Sequence, residues 1–309
     1  MADGWHSNIQ RLLDDVGEGN VFKLLNAIFV DEKYNISEKY LKETREHFDT
    51  LIMKNNFAKE DIRPVANNLA AMYTGNEVTE LLTERPSADT KLILANVILF
   101  KGKWKDPFKS RLTADAKFKN ADKTESTCRM MYKSSFFDYF CDHKACSVQI
   151  PYGGNGDMSF MLLLPKEGVP MQEVLDELTP EIVHYYEQNT YETEIRVGLP
   201  KFVLEQKMDL KAPLTRNGMG SIFSSEEADL SKMTGGQRKL FVKKATHLGK
   251  IEVNEEGTVA SGVTVVHTAT RSQHPQFILN RPFIFLIHDR TTKNVLFVGK
   301  MANFNNVSG

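Results

Sequence analysis

The order of hydrophobic and polar positions along the chain predicts alternating helices and strands. Ile9, Leu12, Leu13 and Val16 sit at helical spacing, and Gly17 and Gly19 end that segment. Residues 21–30 are an apolar run suited to a central strand. The spacing predicts a helix over Ser37 to Ile52, with Ser37 as its cap and Tyr40, Leu41, Thr44, Phe48 and Ile52 as its stripe. A second helix is predicted over 61–73, with Pro64 in its first turn. Leu92 to Phe100, LILANVILF, carries the strongest buried-strand pattern of the chain. From 113 to 165 the chain is β-rich, with runs at 128–140, 146–151 and 158–164 and a glycine hairpin (Gly153, Gly154, Gly156) before the last. Helical spacing returns at 171–186. A strand over 193–205, a short helix near 208–216 and a strand over 239–254 follow. Three apolar runs, 276–280, 283–288 and 294–300, close the chain. There is no repeat, low-complexity tract or evident linker, so residues 1–309 are expected to form one α+β domain.

One stretch breaks these patterns. From Thr258 to Thr270, thirteen residues pass without Asp, Glu, Lys or Arg, between Glu255-Glu256-Gly257 and Arg271. Thr, Val, Ala, Ser and Gly dominate it, and many of its residues are β-branched, yet they do not alternate apolar with polar. Such a segment reads as a strand buried on both faces or as a mobile loop of small residues.

Composition narrows the function classes. Hydrophobic residues make up 41% and charged residues 26%, an ordinary globular balance, and the net charge of -1 gives no field for nucleic acid or an anionic membrane. The basic clusters Lys101, Lys103, Lys105 and Arg238, Lys239, Lys243, Lys244 lack interleaved aromatics and read as solvated strand ends. Three cysteines, Cys128, Cys141 and Cys146, do not make a disulfide framework, and isolated thiols are expected. No signal-peptide pattern opens the chain as given and no apolar run reaches a membrane span, so a cytoplasmic location is expected of it, extracellular if a leader precedes it.

Enzyme motifs are missing: no G-x-S-x-G elbow, no H-E-x-x-H helix and no phosphate loop. Gly153-Gly154-Asn155-Gly156 joins two strands and so lacks the helix N-terminus a phosphate cradle needs. Cys141, His143 and Cys146 fit no usual zinc spacing. On one continuous strand over 138–150, Cys141 and His143 would face away from Cys146. His247 reads as a core histidine and His184 as a surface one. Neither a metal nor a cofactor is expected.

Several segments carry a family likeness. Residues 277–287, FILNRPFIFLI, resemble the C-terminal signature of the serpins, and Asn254-Glu255-Glu256-Gly257-Thr258-Val259-Ala260-Ser261 resembles their hinge. Residues 94–104, LANVILFKGKW, with Pro107-Phe108, are similar to the family's central strand and its terminal tryptophan. Residues 25–30, Ile150-Pro151-Tyr152, Leu163-Leu164-Pro165 and Phe297-Val298-Gly299-Lys300 fall in family order.

That resemblance implies a single serpin domain: a large central mixed sheet, flanking helices, further sheets and an exposed reactive-centre loop over about 255–276. It also implies a mechanism. The loop is bait for a serine protease and, once cut, inserts as a strand into the main sheet with the acylated protease attached. The hinge is then Glu255, Glu256, Gly257, Thr258, Val259, Ala260, Ser261 and Gly262. Asn96 and His247 match the polar pair beneath the site of sheet opening, and Trp104 the aromatic where the loop goes in. Residues agree with this reading. An insertable strand must be free of charge, since burying an unpaired charge costs several kcal/mol. Its alternate residues Thr258, Ala260, Gly262 and Thr264 are small enough to enter between packed strands.

Glu255 to Arg271 is seventeen residues, the family's inhibitory length, and Arg271 lies twelve residues before Phe283. Both counts put the scissile bond at Arg271–Ser272. Arginine there suits a trypsin-like protease, whose specificity pocket holds a carboxylate. The expected function is therefore a monomeric suicide inhibitor of a trypsin-like serine protease, itself no enzyme, with no nucleic-acid or membrane partner. The family normally has several helices and a strand before the point where this chain begins, and Phe304 stands near an expected proline. Two readings stay open, a piece of a longer member or a short member. The alternative function is a non-inhibitory serpin acting as substrate, carrier or chaperone-like binding protein.

Overall fold

The computed structural model describes residues 21–153, 158–236, 239–257 and 275–304. The strands are β1 (Val21–Asp31), β2 (Thr50–Asn55), β3 (Leu92–Lys101), β4 (Ala114–Lys119), β5 (Glu125–Cys141), β6 (Ala145–Pro151), β7 (Met158–Pro165), β8 (Tyr191–Pro200), β9 (Phe202–Asp209), β10 (Lys244–Val253), β11 (Gln276–Ile278), β12 (Phe283–Asp289) and β13 (Val295–Met301). The α-helices are α1 (Glu38–Phe48), α2 (Arg63–Thr74), α3 (Met171–Asp176), α4 (Pro180–Gln188), α5 (Lys211–Leu214) and α6 (Ser231–Thr234). The chain divides into two compact units.

The first unit is built on a five-stranded sheet of order β2-β1-β3-β10-β9. Strands β1 and β2 are parallel, and so are β3 and β10, which run in register from Ile93↔Lys244 to Phe100↔Ile251. On one face Leu25, Ala27 and Phe29 of β1 and Ile93, Ala95 and Val97 of β3 pack with Ala66 and Ala70 of α2. Those two alanines and Thr74 recur every four residues, so small side chains bring the helix close to the sheet. On the other face Ile28, Leu92 and Ala245 pack with Phe223, Met233 and Val242. The strict alternation of β3 has a third consequence: Leu94, Asn96 and Ile98 are only partly buried, whereas Ile93, Ala95, Val97 and Leu99 are fully so.

Helix α1 starts where the sequence predicts, with the Ser37 hydroxyl accepting from Tyr40 N. It stops four residues short of the expected end. Asp49 takes a left-handed conformation (φ 45°) and its N–H bonds to Arg45 O. Thr50 and Ile52 then pair with Asn26 and Ile28 of β1. Strand pairing has overridden the helical stripe there.

The second unit carries an eight-stranded sheet with the path β11-β8-β5-β6-β7-β12-β13, and β4 pairs with β5. Every residue of β7 and β12 is buried, which is why both read as unbroken apolar runs. Phe118, Phe160, Phe202, Phe283 and Phe285 form an aromatic core on one side. Val174 of α3 and Val183 and Tyr186 of α4 cover Met161, Leu163 and Leu286 on the other. The single helix expected over 171–186 is two helices. Thr179 caps the second and Pro180 occupies its first turn, so the chain restarts instead of continuing. The strand expected over 193–205 is likewise two, parted at Lys201 after Pro200, which has no N–H for a ladder.

The cysteines depart furthest from expectation. Cys141 and Cys146 stand directly opposite each other on β5 and β6, with Cα atoms 4.0 Å apart, and are joined as a disulfide. They are not isolated thiols, and they do not lie on opposite faces. The parity argument assumed one strand over 138–150. Instead Asp142 accepts bonds from Lys144 N (2.7 Å) and Ala145 N (2.8 Å) and reverses the chain between them. Cys128 is a free, buried thiol, pushed up to about 11 by burial.

Candidate functional site: the loop base and the sheet seam

Strand β10 ends at Val253, and the next four residues turn the chain out of the strand. Asn254 and Gly257 exchange two backbone bonds of 3.3 Å, and the Asn254 side chain accepts from Glu256 N at 3.1 Å. An asparagine that bonds its own backbone two residues on is the ordinary means of closing such a turn. Gly257 leaves it at φ 98°. A Cβ at this position would run into the Gly102 carbonyl oxygen and stand 2.5 Å from Lys103 Cα and Trp104 N. Both the angle and the close approach demand glycine.

The turn is held by three hydrogen bonds from the segment 104–108. Phe108 N donates to Glu255 O at 2.7 Å, Trp104 N to Glu256 O at 3.1 Å, and Trp104 Nε1 to Asn254 O at 2.8 Å. The Trp104 indole is 3% exposed, stacked on Tyr152 at 4.7 Å and set edge-on to Phe108. This packing fixes the direction of its N–H. The Glu255 side chain is clasped as well. Thr113 Oγ1 donates to one carboxylate oxygen at 2.7 Å, and Lys201 Nζ lies 2.8 Å from the other. Burial works to raise the pKa of this carboxyl, but the Lys201 and Thr113 bonds outweigh it and the net shift is downward.

In the first unit the seam between β3 and β10 is bridged by side chains as well as backbone. His247 and Asn96 are register partners, and His247 Nδ1 lies 2.6 Å from Asn96 Oδ1. The Asn96 amide nitrogen donates to Asn26 Oδ1 (2.8 Å) and Leu25 O (3.3 Å) of β1. Asn96 Oδ1 is thereby an acceptor, so His247 donates from Nδ1 as a neutral imidazole. Burial lowers its pKa and favours the same form. One polar chain thus runs from β10 through β3 to β1.

Asn96, His247, Trp104, Glu255, Glu256 and Gly257 therefore lie in two hydrogen-bonded clusters, one within each unit. Thr258, Val259, Ala260, Ser261, Gly262, Arg271 and Ser272 lie outside the described residues. Sequence reasoning gave no role to Lys201, Thr113 or Asn26. Lys201 stands directly after the Pro200 break, and that break was the available signal. Among the described residues no three His, Cys, Asp or Glu side chains gather as a metal site, and Cys141 and Cys146 are engaged with each other.

Residues 2–304 match the profile of the family described as Serpin (serine protease inhibitor). The chain belongs to the serpin family. It is 35% identical over 314 aligned residues to the leukocyte elastase inhibitor of Bos taurus, covering 96% of this chain and 82% of that protein. The Homo sapiens leukocyte elastase inhibitor is 32% identical with the same coverage. Among solved structures, mouse protein-Z dependent protease inhibitor superposes with a TM-score of 0.86 at 26% identity, over 96% of this chain and 78% of that one. The α+β architecture of mixed sheets and several helices is that of a serpin. Within its five-stranded sheet, β3 and β10 are neighbouring parallel strands. The turn at 254–257 follows directly on the end of β10.

Proposed function

We propose that this serpin inhibits a trypsin-like serine protease as a one-to-one suicide substrate, with Arg271–Ser272 as the bond presented. The observation that carries the proposal is the anchoring of Glu255. Its carboxylate and carbonyl are both held at the turn, which gives the seventeen-residue count to Arg271 a fixed origin. The closed β3–β10 seam supports the second half of the mechanism. A strand entering between β3 and β10 after the reversal at Gly257 would run antiparallel to both, so insertion replaces one parallel pairing by two antiparallel ones, and the gain in pairing drives the loop inward once it is cut. Asn96 and His247 act here as the side-chain latch of the seam, Trp104 as the fixed support beneath the turn, and Glu255 to Gly262 as the hinge.

The names of the relatives favour a second reading, an elastase-type target. Elastase has a small specificity pocket, which an arginine does not fit. This reading requires a bait at a small residue upstream, such as Ala269. Incubation with trypsin and, separately, with leukocyte elastase, followed by denaturing electrophoresis, separates the two. A protease-linked band with trypsin, lost in Arg271→Ala, supports the first. A linked band with elastase alone supports the second. Cleavage by both enzymes with no linked band overturns both in favour of a non-inhibitory serpin.

A further inference from the structure

Within the second unit a cleft of about 680 Å³ lies among the end of β4, the segment after β7 and the segment before β12. It has no part in the loop or the seam. Its size is that of a small-molecule site. The lining is largely apolar, Met171 and Pro282 among it, yet three cations border it: Lys119, Lys166 and Arg281, against one acid, Glu167.

Arg281 is the informative residue. Its guanidinium is partly buried, and its one bond to the described residues runs from Nη2 to Pro165 O at 2.8 Å. No carboxylate among the described residues lies within ion-pair distance of it. The Lys119 and Lys166 ammonium groups are likewise unpaired there. A partly buried guanidinium is costly to desolvate and is ordinarily matched by a carboxylate or phosphate in fork geometry. Here four of its five N–H donors are unspent beside an apolar cleft. Burial depresses its pKa, and the Glu167 charge opposes that shift without overcoming it.

We propose that this cleft binds a small organic anion, a carboxylate or phosphate on an apolar body. Its charged group lies on Arg281, with Lys119 and Lys166 at the rim, and its body packs against Met171 and Pro282. The assignment is independent of the reading of Arg271.

The test is calorimetric titration of the full chain with phenyl phosphate, benzoate and the uncharged benzyl alcohol. Saturable one-site binding of an anion is expected, weakened at least about tenfold in Arg281→Gln and severalfold in Lys166→Gln, and weakened by added salt. Binding of phenyl phosphate alone or of benzoate alone assigns the head group, and binding of both assigns the shared chemistry. Lys166→Gln breaks no side-chain bond among the described residues and decides the matter if Arg281→Gln does not fold. Saturation by neither anion, equal binding of benzyl alcohol, or unchanged anion binding in the variants overturns the proposal.

Discussion

Lys201 Nζ lies 2.8 Å from the Glu255 carboxylate, and the pair ties the corner between β8 and β9 to the turn at 254–257. Both groups are largely shielded from solvent, so the bond is worth more than a surface ion pair. Lys201→Ala leaves Glu255 partly buried with Thr113 as its remaining side-chain partner. The expected result is a loss of about 1–3 kcal/mol in urea unfolding. Glu255→Gln keeps the Thr113 bond and should lose less. Equal losses would show that charge is irrelevant at this position.

Gly257→Ala places a Cβ against the backbone of Gly102 to Trp104 at a positive φ. A loss of about 1–3 kcal/mol is expected from the angle alone, and more if the neighbouring backbone cannot move. Gly75 provides the control. It also has a positive φ (65°), but an added Cβ there meets nothing within 4 Å, so Gly75→Ala should cost less. Chemical denaturation of the two variants side by side checks the difference.

Acid should weaken the fold through two histidines. His247 and His288 both have pKa values lowered by burial, and His288 is 1% exposed with Nε2 unbonded among the described residues. Arg290 lowers the His288 value further, while Glu187 and Asp289 oppose it. A folded value below the unfolded one means that the unfolded chain binds more protons. Stability is therefore fully present above the unfolded value of about 6.5 and falls as pH drops through it toward the folded values. Unfolding midpoints between pH 7.5 and pH 5 should decline in the wild type and decline less in His288→Leu. An unchanged slope in that variant would remove His288 from the account.

The disulfide gives a redox prediction. Cys141 and Cys146 enclose a short hairpin loop, for which the chain-entropy relation gives about 2 kcal/mol. Reduction, or the double variant Cys141→Ser/Cys146→Ser, should lower the urea midpoint accordingly. Cys128, buried and with a raised pKa, should react with thiol reagents only on unfolding.

Much of this architecture is legible in the chain because burial was uniform where it mattered. The runs at β7 and β12 are continuous since those strands are covered along their length, and Gly257 is readable because one residue type alone fits its backbone. What escaped the sequence depended on contacts between distant segments. The end of α1 was decided by pairing of Thr50 with Asn26, and the fate of Cys141 by a turn at Asp142 that parity cannot see. Lys201 meets Glu255 across more than fifty residues of chain; the Pro200 break marks the corner, but no local pattern marks the pairing. Asn96 and His247 were legible only through family likeness; their 2.6 Å contact is a tertiary fact.

In the proposed mechanism the segment following Gly257 enters the seam between β3 and β10 once Arg271–Ser272 is cut. The most direct measurement is the melting temperature of the intact protein and of protein nicked by catalytic trypsin, with the cut located by mass spectrometry. A product beginning at Ser272 and a rise in melting temperature of more than about 10 °C are expected, since a new central strand adds many paired and buried residues. A cut at Arg271 that leaves the melting temperature unchanged or lower would contradict this mechanism.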